Sequence, residues 1–288
     1  MKGLGTALIT PFKADGSVDY EALARLLDTQ LTGYVDYIVV LGTTGEAATL
    51  TADEKREVRQ FIVKYVNGRL PLVLGVGGNN TAQVISDLQA MRNELILDFT
   101  AILSVCPYYN KPNQEGLFQH FCAIAEASPI PVILYNVPGR TGVNLLPETV
   151  IRIYEAHPDK IAGIKEASGN IEQIKHLINL INAEGNKREA LHVISGDDGI
   201  ACDVMEAGGA GLISVASNAF AEDFWHIVHE KDQVRQAKYA EMIRLLFAEG
   251  NPVGIKAVLA QKGIIQNYLR LPLVPASEEL QEKIQNLL

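Results

Sequence analysis

The sequence lacks the excess of positive charge that binds nucleic acid and the long apolar stretches that span membranes. Of its 288 residues, 25 are lysine or arginine and 34 are aspartate or glutamate, so the formal net charge is −9. This balance argues against a general nucleic-acid or anionic-membrane surface. No apolar stretch has the length of a membrane span, and the residues after Met1 lack the charged-then-apolar order of a signal peptide. We therefore expect a cytoplasmic protein without nucleic-acid or membrane partners.

Cysteine is also scarce. The chain has Cys106, Cys122 and Cys202, an odd number without the spacing of metal ligands, and we expect all three to be reduced and buried. His226 and His229 share a helical face, but no carboxylate or thiolate set completes a metal site there. No serine–histidine–acid motif is recognisable. The sequence therefore predicts neither metal nor serine-hydrolase chemistry.

Short apolar runs recur along the chain, with segments that carry helix signals between them. Most successive runs begin roughly 30 residues apart, the length of one strand–helix unit. Eight such alternations favour an α/β fold that closes into a (β/α)8 TIM barrel over an open doubly wound sheet. The predicted strands lie near Leu4–Thr10, Tyr37–Leu41, Leu72–Gly75, Phe99–Val105, Val132–Asn136, Ile161–Lys165, His192–Ser195 and Gly211–Ser214.

Helix-start signals support this alternation. Thr51 and Glu54 have the spacing of a capping box, Asn113 and Asn170 suit N-caps, and Pro147 suits a first helical turn. After the eighth strand only helical segments follow. They are Phe220–Glu230, Gln233–Ala248, Val253–Gly263 and Glu278–Leu288. We predict a barrel domain over residues 1–222 that carries the active site, and a C-terminal helical domain over 223–288 packed on the barrel.

Lys165 ends the sixth predicted strand, which is apolar and therefore expected to be buried. The catalytic groups of a (β/α)8 barrel lie at the carboxyl ends of its strands. Burial disfavours the ammonium form and lowers the pKa of a lysine, and a partly neutral lysine can attack a carbonyl to form a Schiff base. The alternative is a structural lysine that reaches solvent or pairs with Glu166.

Hydroxyl groups follow other strands. Tyr135 ends the fifth predicted strand, where its phenol could carry protons to and from an imine. Because the ordinary pKa of tyrosine is near 10, such a relay needs further hydroxyls, which Thr44 and Tyr109 could supply. The alternative is a buried tyrosine whose hydroxyl is satisfied by the fold.

Two segments could bind a carboxylate. The turn Gly42–Gly45 offers the hydroxyls of Thr43 and Thr44 together with backbone amides. Arg140 lies in a loop rich in proline and glycine, and a guanidinium can bind a carboxylate through two hydrogen bonds. The alternatives are an ordinary glycine turn and an arginine that braces its loop through a salt bridge.

Four motifs in this order and spacing resemble one family, the pyruvate-dependent class I aldolases related to N-acetylneuraminate lyase. The likeness covers nearly the whole chain. Within the family the chain is most similar to members that condense pyruvate with L-aspartate 4-semialdehyde in diaminopimelate and lysine biosynthesis. The motifs are Gly42-Thr43-Thr44-Gly45-Glu46, Pro107-Tyr108-Tyr109-Asn110, Tyr135-Asn136-Val137-Pro138-Gly139-Arg140-Thr141-Gly142 and Gly163-Ile164-Lys165-Glu166-Ala167.

The resemblance implies a role for each of these residues. Lys165 forms the Schiff base with pyruvate, and no metal or organic cofactor is needed. Tyr135, Thr44 and Tyr109 form a proton relay in which Tyr109 comes from a neighbouring subunit of a homotetramer, a dimer of dimers. Thr43 and Thr44 bind the pyruvate carboxylate, Arg140 binds that of the semialdehyde, and Gly196 and Ile213 line the pocket beside the imine.

Two alternatives stay open. A sibling aldolase would act on sialic acid or on a keto-deoxy sugar acid, but lyase-like members typically lack arginine after the tyrosine, so Arg140 favours the semialdehyde. A non-catalytic regulator that binds keto acids on the same scaffold would be expected to have lost Lys165, Tyr135 or a threonine, and this chain retains them.

One region departs from the pattern of the lysine-inhibited relatives. The enterobacterial type has serine, histidines and a glutamate where this chain has Ala47, Ala52, Lys55 and Gln83. Lys55 adds a positive charge against a cationic ligand, and Gln83 removes a carboxylate that could pair with its ammonium group. Asn79 and Tyr108 are retained. We therefore expect weak or absent inhibition by lysine.

Overall fold

The computed structural model describes residues 1–91, 95–183 and 190–288. Its eight strands follow one another in chain order around a closed barrel, which confirms the predicted fold class. The strands are β1 (Gly3–Ala7), β2 (Tyr37–Val40), β3 (Leu72–Gly75), β4 (Ala101–Val105), β5 (Val132–Asn136), β6 (Ile161–Glu166), β7 (His192–Ser195) and β8 (Gly211–Ser214).

Four of the helices in the described residues begin where the capping signals place them. Thr51 and Glu54 form both hydrogen bonds of a capping box, Asn113 and Asn170 accept backbone N–H groups at helix starts, and Pro147 is the first helical residue. The helices are α1 (Tyr20–Gln30), α2 (Ala52–Val66), α3 (Thr81–Met91), α4 (Gln114–Ala127), α5 (Pro138–Thr141), α6 (Pro147–Ala156), α7 (Ile171–Asn182), α8 (Ala201–Glu206), α9 (Ser217–His229), α10 (Gln233–Phe247), α11 (Val253–Gln261) and α12 (Glu278–Gln285).

The chain forms two compact units. The first unit comprises residues 1–3 and 72–213, and the second comprises residues 4–71 and 214–288. The predicted boundary between a barrel domain and a helical domain at residue 222 stays a prediction.

In the first unit, strand register decides which side chains share a face. Tyr135 is paired with Lys165, Lys165 with Ile194, and Ile194 with Gly211. Because side chains alternate along a strand, Ile213 lies on the same face as Lys165, two residues beyond Gly211. Residues one position along each strand, such as Glu166, point to the opposite face.

In the second unit, β1 pairs with β2 in parallel, and the ring of Tyr37 packs directly over Gly5. A Cβ atom at Gly5 would lie 2.2 Å from Cε2 of Tyr37, so only glycine fits there. The first strand ends at Ala7 rather than at the predicted Thr10. The reason is that the N–H of Ile9 donates to the side chain of Asn218 (3.2 Å) instead of continuing the strand.

Candidate active site

Lys165 and Tyr135 form the centre of the candidate site in the first unit. Both side chains are buried, with 6% and 7% of their surface exposed. The Nζ atom of Lys165 lies 4.4 Å from the centroid of the Tyr135 ring, within the range of a cation–π contact. The strand register therefore brings together the two residues that the sequence predicts for imine chemistry, and it buries the amine.

Glu166 does not serve as the counter-ion of Lys165. Its carboxylate accepts hydrogen bonds from the amide of Asn136 (2.9 Å), the backbone N–H of Ser168 (2.8 Å) and the amide of Gln173 (3.2 Å). Glu166 points away from Lys165 because consecutive strand residues face opposite sides. Within residues 1–91, 95–183 and 190–288, Lys165 has no ion-pair partner, so the structural alternative through Glu166 is not supported.

Gly196 has no side chain, and the side chain of Lys165 occupies the space beside it. A Cβ atom at Gly196 would lie 2.8 Å from Cε of Lys165 and 2.6 Å from Cβ of Ala167. Any larger residue would therefore displace the lysine stem. Ile213, the other residue expected beside the imine, is buried on β8 with 1% of its surface exposed.

Tyr109 stands on the surface of the first unit. It is 90% exposed and has a φ of +73°, an uncommon backbone conformation for a tyrosine. The turn that presents it is fixed by Asn79, whose amide donates to the carbonyl of Tyr108 (3.0 Å), and by Asn110, whose amide donates to the carbonyl of Asn79 (2.9 Å). Aromatic side chains are enriched at protein interfaces, so an exposed tyrosine on a fixed turn is typical of a residue that contacts a partner.

Arg140 lies on the short helix α5, which begins at Pro138 and is capped by Gly142 at a φ of +74°. Its side chain is exposed, and it makes no ion pair among the described residues. The side chain of Lys111 lies against Gly142, since a Cβ atom there would be 3.0 Å from Cε of Lys111. The salt-bridge alternative for Arg140 is therefore not supported, and its guanidinium is available to an anionic ligand.

Thr43 and Thr44 belong to the second unit. Residues Thr43–Gly45 form a tight turn, closed by the N–H of Glu46 donating to the carbonyl of Thr43 (3.1 Å). Thr43 is exposed, whereas Thr44 is only 3% exposed. The Thr44 hydroxyl accepts a hydrogen bond from the amide of Asn251 (2.9 Å) instead of bonding its own turn.

A second buried lysine was not identified from the sequence. Lys256, on α11, is fully buried and forms an ion pair with Glu46. Its Nζ atom also donates to the carbonyl of Tyr268 (3.0 Å) and lies 4.2 Å from the centroid of the Phe12 ring. Burial lowers the pKa of Lys256 to about 8, although the Glu46 carboxylate opposes this shift. A lone lysine in the apolar run Val253–Ala260 is the signal that could have revealed it.

Two histidines and one cysteine that were considered from the sequence have other surroundings in the structure. His226 contacts Glu230 (2.9 Å), and His229 contacts Asp36 (2.7 Å). Among the described residues, no three histidine, cysteine or acidic side chains converge to hold a metal ion. The prediction that all cysteines are buried is wrong for Cys122, which is half-buried because it flanks the buried stripe of α4.

A closed barrel with a buried lysine beside a tyrosine at the ends of adjacent strands has the layout of a barrel enzyme, since barrel active sites lie at this end of the strands. The model of the dihydrodipicolinate synthetase family matches residues 1–288, and the chain belongs to this family. No helix among the described residues is long and apolar enough to cross a membrane.

Individual relatives show the same relationship over the full length. The 4-hydroxy-tetrahydrodipicolinate synthase of Parabacteroides distasonis is 49% identical over 100% of this chain and 96% of its own. The enzyme of the same name from Phocaeicola vulgatus is 47% identical with the same coverage. The crystal structure of dihydrodipicolinate synthase from Thermotoga maritima has a TM-score of 0.93 at 39% identity, covering 100% of this chain and 97% of that one.

Proposed function

We propose that the chain condenses pyruvate with L-aspartate 4-semialdehyde to give 4-hydroxy-tetrahydrodipicolinate. This is the lyase reaction after which the full-length relatives are named, and it belongs to diaminopimelate and lysine biosynthesis. The single observation that supports the mechanism best is Lys165, a buried amine at the end of β6 beside Tyr135 and without a carboxylate partner in the described part of the chain.

The reaction begins when the neutral amine of Lys165 attacks the keto carbon of pyruvate. Loss of water from the carbinolamine gives the imine, and loss of a methyl proton gives the enamine. The enamine carbon attacks the aldehyde, and the amino group of the semialdehyde then displaces Lys165 as the ring closes. The imine itself accepts the electrons of the breaking C–H bond, so the mechanism requires no metal or organic cofactor.

Proton transfer is the proposed role of Tyr135, Thr44 and Tyr109. Tyr135 is supported by the position of its ring, whose centroid lies 4.4 Å from the Lys165 amine, because a general acid or base must belong to a residue near the reacting group. Thr44 is supported by its buried hydroxyl, which accepts a hydrogen bond from the amide of Asn251 and keeps its O–H free to donate. For Tyr109 and Thr44 the assignment otherwise rests on the resemblance to the family.

Substrate binding is divided among three further roles. We assign the pyruvate carboxylate to Thr43 and Thr44, and the carboxylate of the semialdehyde to Arg140. The exposed guanidinium of Arg140 supports this, since it has no carboxylate partner in the described residues. Gly196 and Ile213 are assigned to the pocket beside the imine, and Gly196 is supported by its close approach to Lys165.

A homotetramer built as a dimer of dimers, located in the cytoplasm, is part of the same proposal. Tyr109 supports a subunit contact, because a large aromatic side chain is 90% exposed there on a turn held by Asn79 and Asn110. In such an assembly Tyr109 enters the active site of the neighbouring subunit. Sedimentation at assay concentration tests this arrangement, and a fully active monomer would refute it.

Three assays on one purified sample separate the candidate functions. We expect condensation of pyruvate with the semialdehyde and no cleavage of N-acetylneuraminate. Efficient sialic acid cleavage without condensation would favour the sibling aldolase. Pyruvate binding without turnover of either substrate would favour the keto-acid-binding regulator.

A further inference from the structure

We propose that Asn251 is a positioning residue that sets the direction of the Thr44 hydroxyl. The inference rests on the proposed role of Thr44 in proton transfer and carboxylate binding. It adds to that role a residue from the segment that leads into α11, outside the four motifs that resemble the family.

The first observation is the hydrogen bond itself. The amide Nδ2 of Asn251 donates to Oγ1 of Thr44 at 2.9 Å, and both side chains are buried, with 8% and 3% of their surface exposed. A threonine hydroxyl has one hydrogen to donate and two lone pairs that accept. Because the amide hydrogen of Asn251 occupies one lone pair, the O–H bond of Thr44 must point elsewhere. Asn251 therefore makes Thr44 a donor toward a carboxylate or a phenol oxygen.

The second observation concerns the other end of the Asn251 side chain. Its carbonyl oxygen Oδ1 is buried and has no hydrogen-bond partner among the described residues. The hydrogen bond that orients this amide within the described part of the chain is therefore the one that it donates to Thr44.

The third observation is that the turn which carries Thr44 is held rigidly. Glu46 closes the turn with a φ of +52°, a conformation that non-glycine residues seldom adopt unless their surroundings enforce it. Its buried carboxylate is paired with Lys256 and also accepts from the backbone N–H of Arg270 (3.3 Å).

Asn251 and Lys256 lie on one continuous segment. The N–H of Lys256 donates to the carbonyl of Pro252 (3.0 Å), which follows Asn251 directly. The segment thus holds the turn at two points, through the hydroxyl of Thr44 and through the carboxylate of Glu46. With the backbone of the turn fixed by the ion pair, Asn251 is left to determine the orientation of the hydroxyl.

A double-mutant cycle between Asn251 and Thr44 tests the proposal. Asn251→Ala is made in the native background and in Thr44→Val, and both kcat for condensation and the rate of borohydride trapping of pyruvate are measured. We expect Asn251→Ala to lower these rates at least tenfold in the native background and less than twofold in Thr44→Val. Equal losses in both backgrounds, or a loss below twofold in the native one, would overturn it.

A conservative variant separates orientation from folding. Asn251→Asp keeps the shape of the side chain but replaces the N–H donor by an acceptor, which reverses the preferred direction of the Thr44 hydroxyl. We expect a folded Asn251→Asp variant to have a kcat at least as low as that of Asn251→Ala, and circular dichroism at the assay temperature checks that the variant is folded. Native kcat in a folded Asn251→Asp variant would refute the role.

A failure of the positioning role of Asn251 can be distinguished from a failure of the proposed function. If the native protein traps pyruvate but does not condense the semialdehyde, the proposed second substrate is wrong. The trapping rates of the same four variants then still decide whether Asn251 acts through Thr44.

Discussion

Two buried lysines in the described part of the chain differ in their partners, and the difference distinguishes the amine that we propose to react from one that supports the fold. Lys165 and Lys256 are 6% and 0% exposed, and each amine lies above an aromatic ring, at 4.4 Å and 4.2 Å. Lys256 is paired with Glu46, whereas Lys165 has no carboxylate partner in the described residues. The Glu46 carboxylate favours the protonated form of Lys256, and an ammonium group has no free lone pair. A lowered pKa taken alone would identify Lys256 as the lysine that reacts with substrate. No substrate can reach its fully buried amine, however.

The arginines show the same contrast. Arg270 donates to the carbonyls of Gly16 and Thr49 and forms an ion pair with Glu54, so its guanidinium is saturated by the fold. Arg140 is exposed and makes no ion pair among the described residues. A cationic side chain whose hydrogen bonds are made within the protein stabilises the fold. A cationic side chain without such partners is available to bind an anionic substrate.

The largest expected effect follows from removing the amine that we propose forms the imine. Lys165→Arg keeps the positive charge but cannot form the imine, so kcat should fall by about 1,000-fold or more, equivalent to at least ~4 kcal/mol. Lys160→Arg is the matched control, because the Lys160 amine donates to the carbonyl of Ser128 (3.0 Å) and has no proposed part in catalysis. A Lys165→Arg variant with a tenth of native activity would contradict the assignment.

Removing the paired lysine should affect stability. Lys256→Met leaves Glu46 buried without its counter-ion, and breaking such a pair typically costs about 3–5 kcal/mol in the free energy of unfolding. Urea denaturation measures this loss. Adding Glu46→Leu to Lys256→Met removes both charges and should recover part of it. If Lys256→Met unfolds with the native free energy, the ion pair is not a structural support.

Arg140→Ala should separate the two halves of the reaction. Loss of a guanidinium that binds the second carboxylate costs about 2–4 kcal/mol, or tens- to hundreds-fold in kcat/KM for the semialdehyde. Borohydride trapping of pyruvate should remain within twofold of native. Arg152→Ala serves as the control, since Arg152 is exposed and pairs with Glu115 (2.8 Å). Equal damage to both half-reactions would mean that Arg140 is structural.

A buried base that has no counter-ion among the described residues should make the protein sensitive to acid. Burial lowers the pKa of His120 from 6.5 to about 4, while its Nδ1 atom lies 2.8 Å from the hydroxyl of Thr81. Between these pH values the unfolded chain binds a proton at His120 and the folded chain does not. The resulting stability is therefore present above pH 6.5 and is lost as the pH falls toward 4, by up to about 3 kcal/mol.

Unfolding free energies from pH 7 to 4 test this dependence. His120→Gln should flatten the curve, because it removes the buried base that only the unfolded chain protonates in this range. An unaltered acid dependence in His120→Gln would show that His120 does not titrate in this range.

The smallest effect concerns inhibition by lysine, a cation that needs a carboxylate partner. Gln83 offers only an amide, which donates to Asp87 (2.9 Å), and Lys55 adds a like charge. Both changes should weaken lysine binding by at least about tenfold relative to lysine-sensitive relatives. Gln83→Glu should recover part of the sensitivity in a lysine titration of initial rates. Half-inhibition of the native protein at submillimolar lysine would contradict this expectation.

The parts of the fold that local sequence encodes were predictable. Alternating apolar runs and capping residues such as Thr51 and Asn113 identified the strands and helix starts, and Lys165 was recognisable because it ends an apolar strand. Asn251 and Lys256 were not, since their partners Thr44 and Glu46 lie more than 200 positions away in the chain. Contacts at that separation depend on tertiary packing, which no periodicity or capping pattern encodes.

The contrast between the two lysines is tested most directly by trapping pyruvate with borohydride and mapping the modified peptide. We predict one adduct per subunit, located on Lys165, and none on Lys256. An adduct on Lys256 or Lys160, or no adduct in a folded protein that consumes pyruvate, would contradict the account.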